Sequence, residues 1–297
     1  MNLVKTKPPL FIIGNPRSGT SLLRLILTSH SEILIPPECG FIIWLLQKYK
    51  DWSESDNLTV RLDQFLSDLF DCKKIDTWQL NKDFVFEIIK SKNPRNYSEL
   101  TSSVYEAYGC LINKKFNVWG DKNNFHLNHL DELQELFNKA KFIHIIRDGR
   151  DVACSYREVM RIDSKSPYAP VLPIDIRTIA NEWLNNVTKV INCMDKIGSY
   201  RSITIRYEDL VTNPEPLLRE LCMWIGIEYE ADMLEFYKFN YKNKLEPDKT
   251  LDWKKRTLEP ISNDTVGQYK EILSNDEQRE FLSVAKLALN KFRYQSF

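Results

Sequence analysis

In the stretch FIIGNPRSGTSLLRLIL, which begins at Phe11, Gly14 and Gly19 enclose Asn15, Pro16, Arg17 and Ser18, and two hydroxyl residues, Thr20 and Ser21, follow. Glycines at both ends let the main chain come close to an anion. Successive N–H groups converge on it, and a helix starting near Gly19 adds the positive end of its dipole. A loop that grips nucleoside triphosphates carries lysine where Thr20 stands, and that lysine reaches the terminal phosphate. Here the cation is Arg17, inside the loop, with a forked guanidinium suited to anionic oxygens. The pattern predicts a cradle for a short anionic chain. Asp121 and Asp148 are the candidate magnesium carboxylates, but both sit among basic neighbours, so no metal is expected.

A second stretch, KFIHIIRDGRDVACSYREV, reads as a strand ending at Arg147, a tight Asp148-Gly149 turn, and a helix that carries Ser155 two turns in. Arg147 and Ser155 together suit a separate phosphate. Taken alone, RDGRD is equally a charged turn between a strand and a helix.

The elements that must position these groups follow one pattern. Short β-branched or aromatic runs near Leu10, Ile33, Val118, Lys141–Arg147 and Ile205 alternate with helical stretches at Ser98–Lys114, Leu127–Lys139, Ile174–Lys196, Glu215–Ile225 and Asp276–Phe292, the last with Asn275 as its cap. This predicts an α/β fold, with a parallel sheet of about five strands flanked by helices in the manner of phosphate-loop proteins. The whole chain, 1–297, is expected to form one domain. Residues 39–97 are too long for a loop and predict a helical insertion after the second strand, covering a pocket or capping the fold. Residues 240–264, rich in Lys and Asp, predict a mobile, solvated loop. Trp44, Trp52 and Trp78 of the insertion suit either sugar stacking or a core.

The 41 basic and 41 acidic residues balance, so the composition gives no reason to expect a nucleic-acid partner and any anion site must be local. Six scattered cysteines form no CxxC pair, which argues against zinc or a disulfide framework and for a reducing compartment. The opening residues MNLVKTKPP hold no apolar run, so no membrane anchor and a cytoplasmic location are expected. Oligomeric state is left open, a homodimer included.

Three blocks, PRSGTSLL at Pro16–Leu23, FIHIIRDGRDVACS at Phe142–Ser155 and RYEDLVTNPEPLLRELCMWIGI at Arg206–Ile227, together resemble the sulfotransferase family, whose donor is 3′-phosphoadenosine 5′-phosphosulfate. The motif style is closest to the tyrosylprotein and polysaccharide enzymes. The resemblance implies that the first loop (Arg17, Ser18, Gly19, Thr20, Ser21) holds the 5′-phosphosulfate and that Arg147 and Ser155 hold the 3′-phosphate. It also implies that Tyr207 contacts adenine, that Lys122 in WGDKNNFH stands near the transferred group, and that Glu38 in ILIPPECG is the base. The family's second arginine on the 3′-phosphate helix falls at Val159, with Arg157 and Arg161 as alternatives. Glu38 has a second reading as a helix cap, Lys122 as a surface charge and Tyr207 as a core aromatic. His126, four residues beyond Lys122, is a reserve base, while His144, inside an apolar strand, is expected to be packed. The expected acceptor is a hydroxyl of a carbohydrate, lipid, small molecule or peptide tyrosine. A protein that binds the donor or its bisphosphate product without transfer, and a phosphate-loop kinase, are the alternatives.

Overall fold

In a computed structural model, residues 7–53 and 58–294 are described. The five strands are β1 (Leu10–Ile13), β2 (Ile33–Leu34), β3 (Val118–Lys122), β4 (Lys141–Ile146) and β5 (Ser202–Arg206). They form one parallel sheet in the order β2-β3-β1-β4-β5. Parallel strands need crossovers, and the connections here run over both faces, so the apolar runs of β1, β2 and β4 are buried, while edge strand β5 leaves Thr204 exposed.

Alternation along the strands sorts the core. Leu10, Ile12, Val118, Ile143 and Ile145 pack with Leu23 and Leu25–Leu27 of helix Thr20–Ser29 on one face. Phe11, Trp119 and Phe142 pack on the other with the insertion and with helix Ile176–Ile197. The chain leaves β1 for one edge, returns through β3 beside β1, and then crosses to β4. A parallel sheet that reverses direction in this way opens a crevice at the carboxyl ends of its central strands.

The predicted elements are present with small shifts at their ends. Two readings change. The last helix, Asn275–Lys291, is capped by Ser274 rather than Asn275, in a reciprocal capping box with Glu277. Residues 240–264, expected to be solvated, form short helical turns at Asp248–Leu251 and Lys255–Leu258 and bury Asn240, Leu245, Glu246, Thr250 and Trp253. Glu246 and Lys254 turn inward and pair, while the segment's other charged residues stay exposed, a division that composition alone does not report.

Within the insertion, helices at Leu58–Asp71 and Lys82–Lys92 pack over Trp52 and Trp78, both buried, while Trp44 stays 40% exposed. All six cysteines are free. No helix among the described residues is long and apolar enough to cross a membrane.

Candidate active site

The carboxyl ends of all five strands meet at one cavity of about 980 Å³. That is at the upper end of the range for ligand pockets and leaves space for two molecules. Gly14 must be glycine because a Cβ there would lie 2.5 Å from the Ile145 carbonyl oxygen of β4. Gly19, at φ 91°, starts helix Thr20–Ser29, and the ring of Tyr207 occupies the space a side chain would need. Arg17 also lies in the left-handed region, at φ 66°. For a residue with a side chain this is uncommon and costs on the order of 1–3 kcal/mol, held by the surrounding structure.

The two anion motifs form one continuous site. Arg17 Nε donates to Ser155 Oγ at 3.1 Å, and its NH1 donates to the Trp253 carbonyl at 3.0 Å. Arg147 donates to the carbonyls of Arg17 (3.1 Å) and Thr265 (2.9 Å), with its guanidinium 4.6 Å from the centre of the Tyr207 ring. Tyr207 is fixed in turn by a 3.0 Å hydrogen bond to Thr265 Oγ1. The partners of both guanidiniums are therefore neutral. Burial, and then the neighbouring Arg147, push the Arg17 guanidinium down to about 10. A buried Arg147 and a half-buried Arg17 that repel each other call for an anion beside them. Arg147 Nε and Ser18 Oγ are buried without a hydrogen-bond partner, which fits an oxyanion ligand. Thr20 and Ser21 line the same wall.

Glu38 and Lys122 meet at the other end. Their side chains form an ion pair, and Glu38 also takes Lys74 at 2.8 Å and lies 3.8 Å from Lys254. Burial would raise the Glu38 carboxyl, but Lys122, Lys254 and Lys74 together hold it well below the usual carboxylate range. Burial brings Lys122 down to about 8 against the opposing pull of Glu38. Glu38 is no helix cap: the short helix Phe41–Trp44 starts at Gly40 with no side-chain cap bond. The insertion fixes the turn that carries Glu38, through the Trp78 indole donating to the Pro37 carbonyl at 2.9 Å.

Several expectations need correcting. His126 does not reach the cavity: successive residues of β3 face opposite sides, so Asp121 points away from Lys122. His126 lies fully buried on the side of Asp121, 3.4 Å from it and against the Phe11 ring. Asp148 is occupied by both nitrogens of a bidentate Arg150, and Asp121 by the Tyr105 hydroxyl. No cluster of metal ligands occurs among the described residues. Arg157 pairs with Glu277, Arg161 is exposed, and neither lines the cavity, whereas Val159, where the family's second arginine falls, does. The cavity instead receives Lys254, Lys255 and Arg256 from the C-terminal segment. Sequence reading missed these residues together with Lys74 and Thr265; the run Trp253-Lys254-Lys255-Arg256 was the available signal. His144 is packed as expected, and burial lowers it to about 3.

A parallel sheet that presents a glycine loop, two neutral-partnered guanidiniums and a lysine-bound carboxylate around one cavity defines an α/β protein that binds a nucleotide-like polyanion beside a second reactant. The chain matches the Sulfotransferase family over residues 8–231, and it belongs to that family. It is 26% identical over 293 residues to Protein-tyrosine sulfotransferase 1 of Danio rerio, covering 95% of this chain and 71% of that protein. It is 24% identical to Protein-tyrosine sulfotransferase of Drosophila melanogaster, covering 94% of this chain and 50% of that protein. Among solved structures, the sulfotransferase domain from the Synechococcus PCC 7002 olefin synthase superposes with a TM-score of 0.62 at 19% identity, over 100% of this chain and 98% of that one. The sulfotransferase domain from the curacin biosynthetic pathway gives 0.60 at 19% identity, over 98% and 99%. These two share the fold.

Proposed function

We propose that this protein transfers a sulfuryl group from 3′-phosphoadenosine 5′-phosphosulfate to an acceptor hydroxyl. The observation that carries the reading is the continuity of the two anion motifs: Arg17 bonds Ser155 while Arg147 bonds the Arg17 carbonyl. One polyanion with phosphates at both ends of a nucleoside would engage both. The loop residues Arg17, Ser18, Gly19, Thr20 and Ser21 hold the phosphosulfate end, Arg147 and Ser155 hold the 3′-phosphate, and Tyr207 lines the nucleoside side. The donor supplies the sulfuryl group and a phosphate leaving group. Everything else falls to the chain's own side chains. By analogy with phosphoryl transfer, negative charge builds on the departing oxygen, so Arg17, Lys122 and the loop N–H groups stabilise it. Glu38 takes the proton of the attacking hydroxyl. In the resting state Lys122, Lys254 and Lys74 hold Glu38 ionised and a weak base; as Lys122 turns toward the leaving group, the carboxylate regains basicity.

The Danio and Drosophila relatives are named for protein tyrosine, and a phenolic hydroxyl is accordingly the first acceptor to try. The test is transfer of label from sulfur-labelled donor to a panel of tyrosine peptides, glycans, lipid alcohols and phenols. One labelled product is expected, and Glu38→Gln should lower its turnover about 10²–10⁴-fold with donor binding nearly unchanged. Donor binding without transfer to any extract would favour the binding-only alternative.

A further inference from the structure

Three ammonium groups from three separate parts of the chain face Glu38: Lys122 from the end of β3, Lys254 from the C-terminal segment, and Lys74 from the insertion. They are not equivalent. Lys254 stands 3.8 Å from Glu38 but 2.7 Å from Glu246, whose other oxygen holds Arg24 at 2.7 Å. It shares its charge between the two carboxylates and stays beyond hydrogen-bond distance of Glu38. Lys122, 2% exposed, approaches Glu38 Oε1 from the strand end that faces the anion loop. Lys74 approaches the other oxygen, Oε2, at 2.8 Å.

The backbone at Lys74 is left-handed, with φ 74°, a conformation that costs a side-chain-bearing residue free energy unless its surroundings impose it. Two residues on, Asp76 accepts hydrogen bonds from the Tyr168 hydroxyl and from Lys249, each at 2.5 Å. Tyr168 belongs to the segment that lines the cavity mouth. One turn thus sends Lys74 inward to Glu38 and Asp76 outward to two neighbouring segments, which lock it in place.

We propose that Lys74 is a positioning residue for the transfer: it holds Glu38 by Oε2, leaves Oε1 to the acceptor proton, and keeps the carboxylate ionised when Lys122 turns to the leaving group. This rests on the reading of Glu38 as the base. The charged groups facing Glu38 are Lys122, Lys254 and Lys74, with Glu246 behind Lys254.

The test is a carbon-13 NMR titration of labelled glutamate carboxyls in the full chain, with the Glu38 signal assigned by its loss in Glu38→Gln. An opposite charge in contact lowers a carboxyl by about 1–3 pH units, so Lys74→Met should raise the Glu38 midpoint by about 1 unit or more, and Lys74→Arg should restore it. The acid limb of kcat/KM should move to higher pH in Lys74→Met, because more of the carboxylate is then protonated at a given pH. Stabilisation by adenosine 3′,5′-bisphosphate reports that the fold and anion site are intact in each variant. An unchanged midpoint in Lys74→Met, or a shift that Lys74→Arg leaves in place, overturns the proposal. If Glu38→Gln keeps full turnover while Lys74→Met moves the midpoint, it is the base reading that fails, and Lys74's part in transfer falls with it.

Discussion

Replacing Glu246 by glutamine removes one charge from the centre of a buried network. Glu246 is 3% exposed and Arg24 1%. Its oxygens accept from Arg24 at 2.7 Å, Lys254 at 2.7 Å and Thr250 at 2.6 Å. Burial would raise this carboxyl, but Lys254 and Arg24 outweigh it and bring it from the ordinary 4.5 to about 2. A depression of that size corresponds to about 3 kcal/mol of stability from this one group. Breaking a buried pair by removing one partner costs roughly 3–5 kcal/mol, so two independent routes agree on the scale. The sign follows from the lowered native value: the contribution is fully present above the unfolded value near 4.5 and is lost as the pH falls toward 2. Urea unfolding at neutral pH should therefore show the Glu246→Gln midpoint lowered by about 1 M, at a slope of roughly 3 kcal/mol per molar. The gap to wild type should narrow as the pH drops below 4.5. A variant within about 1 kcal/mol of wild type at neutral pH refutes the reasoning. It would mean that the carbonyls of Ile35 and Leu245, which also accept from Arg24, satisfy the guanidinium by themselves.

Two further outcomes are expected beside those already given for Glu38 and Lys74. Adenosine 3′,5′-bisphosphate at 100 times its dissociation constant should add about 2.7 kcal/mol to stability, with ATP and magnesium adding much less. In Arg147→Ala that preference should largely vanish while the melting cooperativity stays, and a variant that keeps the preference moves the 3′-phosphate site elsewhere. His126→Asn should lower the melting temperature, because the ring is fully buried, yet turnover should stay within about 3-fold of wild type, since the ring lies across the sheet from Lys122. Abolished turnover in a folded His126→Asn protein would return it to the list of bases.

The two anion motifs were legible because their physics is local. A glycine pair after a strand, a helix start and a cation inside the loop all fall within eight consecutive residues, and Arg147 and Ser155, with the turn between them, span nine. The sheet was legible for a similar reason: parallel strands covered on both faces must be apolar runs separated by crossovers. The family resemblance placed Glu38 and Lys122 near the transferred group, while their ion pair is shown only by the structure.

Tertiary structure alone decided what surrounds Glu38. Lys74 lies in the insertion, and Lys254 and Glu246 lie in a stretch whose composition reads as a solvated loop. Nothing in their spacing says that the C-terminal segment folds back over helix Thr20–Ser29 and turns Glu246 inward to Arg24 with Lys254 beside it. The misreading of His126 has the same origin: four residues of separation say how far a side chain is along the chain, while the pleat of β3 and the helical turn after it decide on which side of the sheet it emerges. A motif written in consecutive residues carries its geometry with it through backbone sterics. A charge network drawn from distant segments exists only once the packing of the core has set the distances between them.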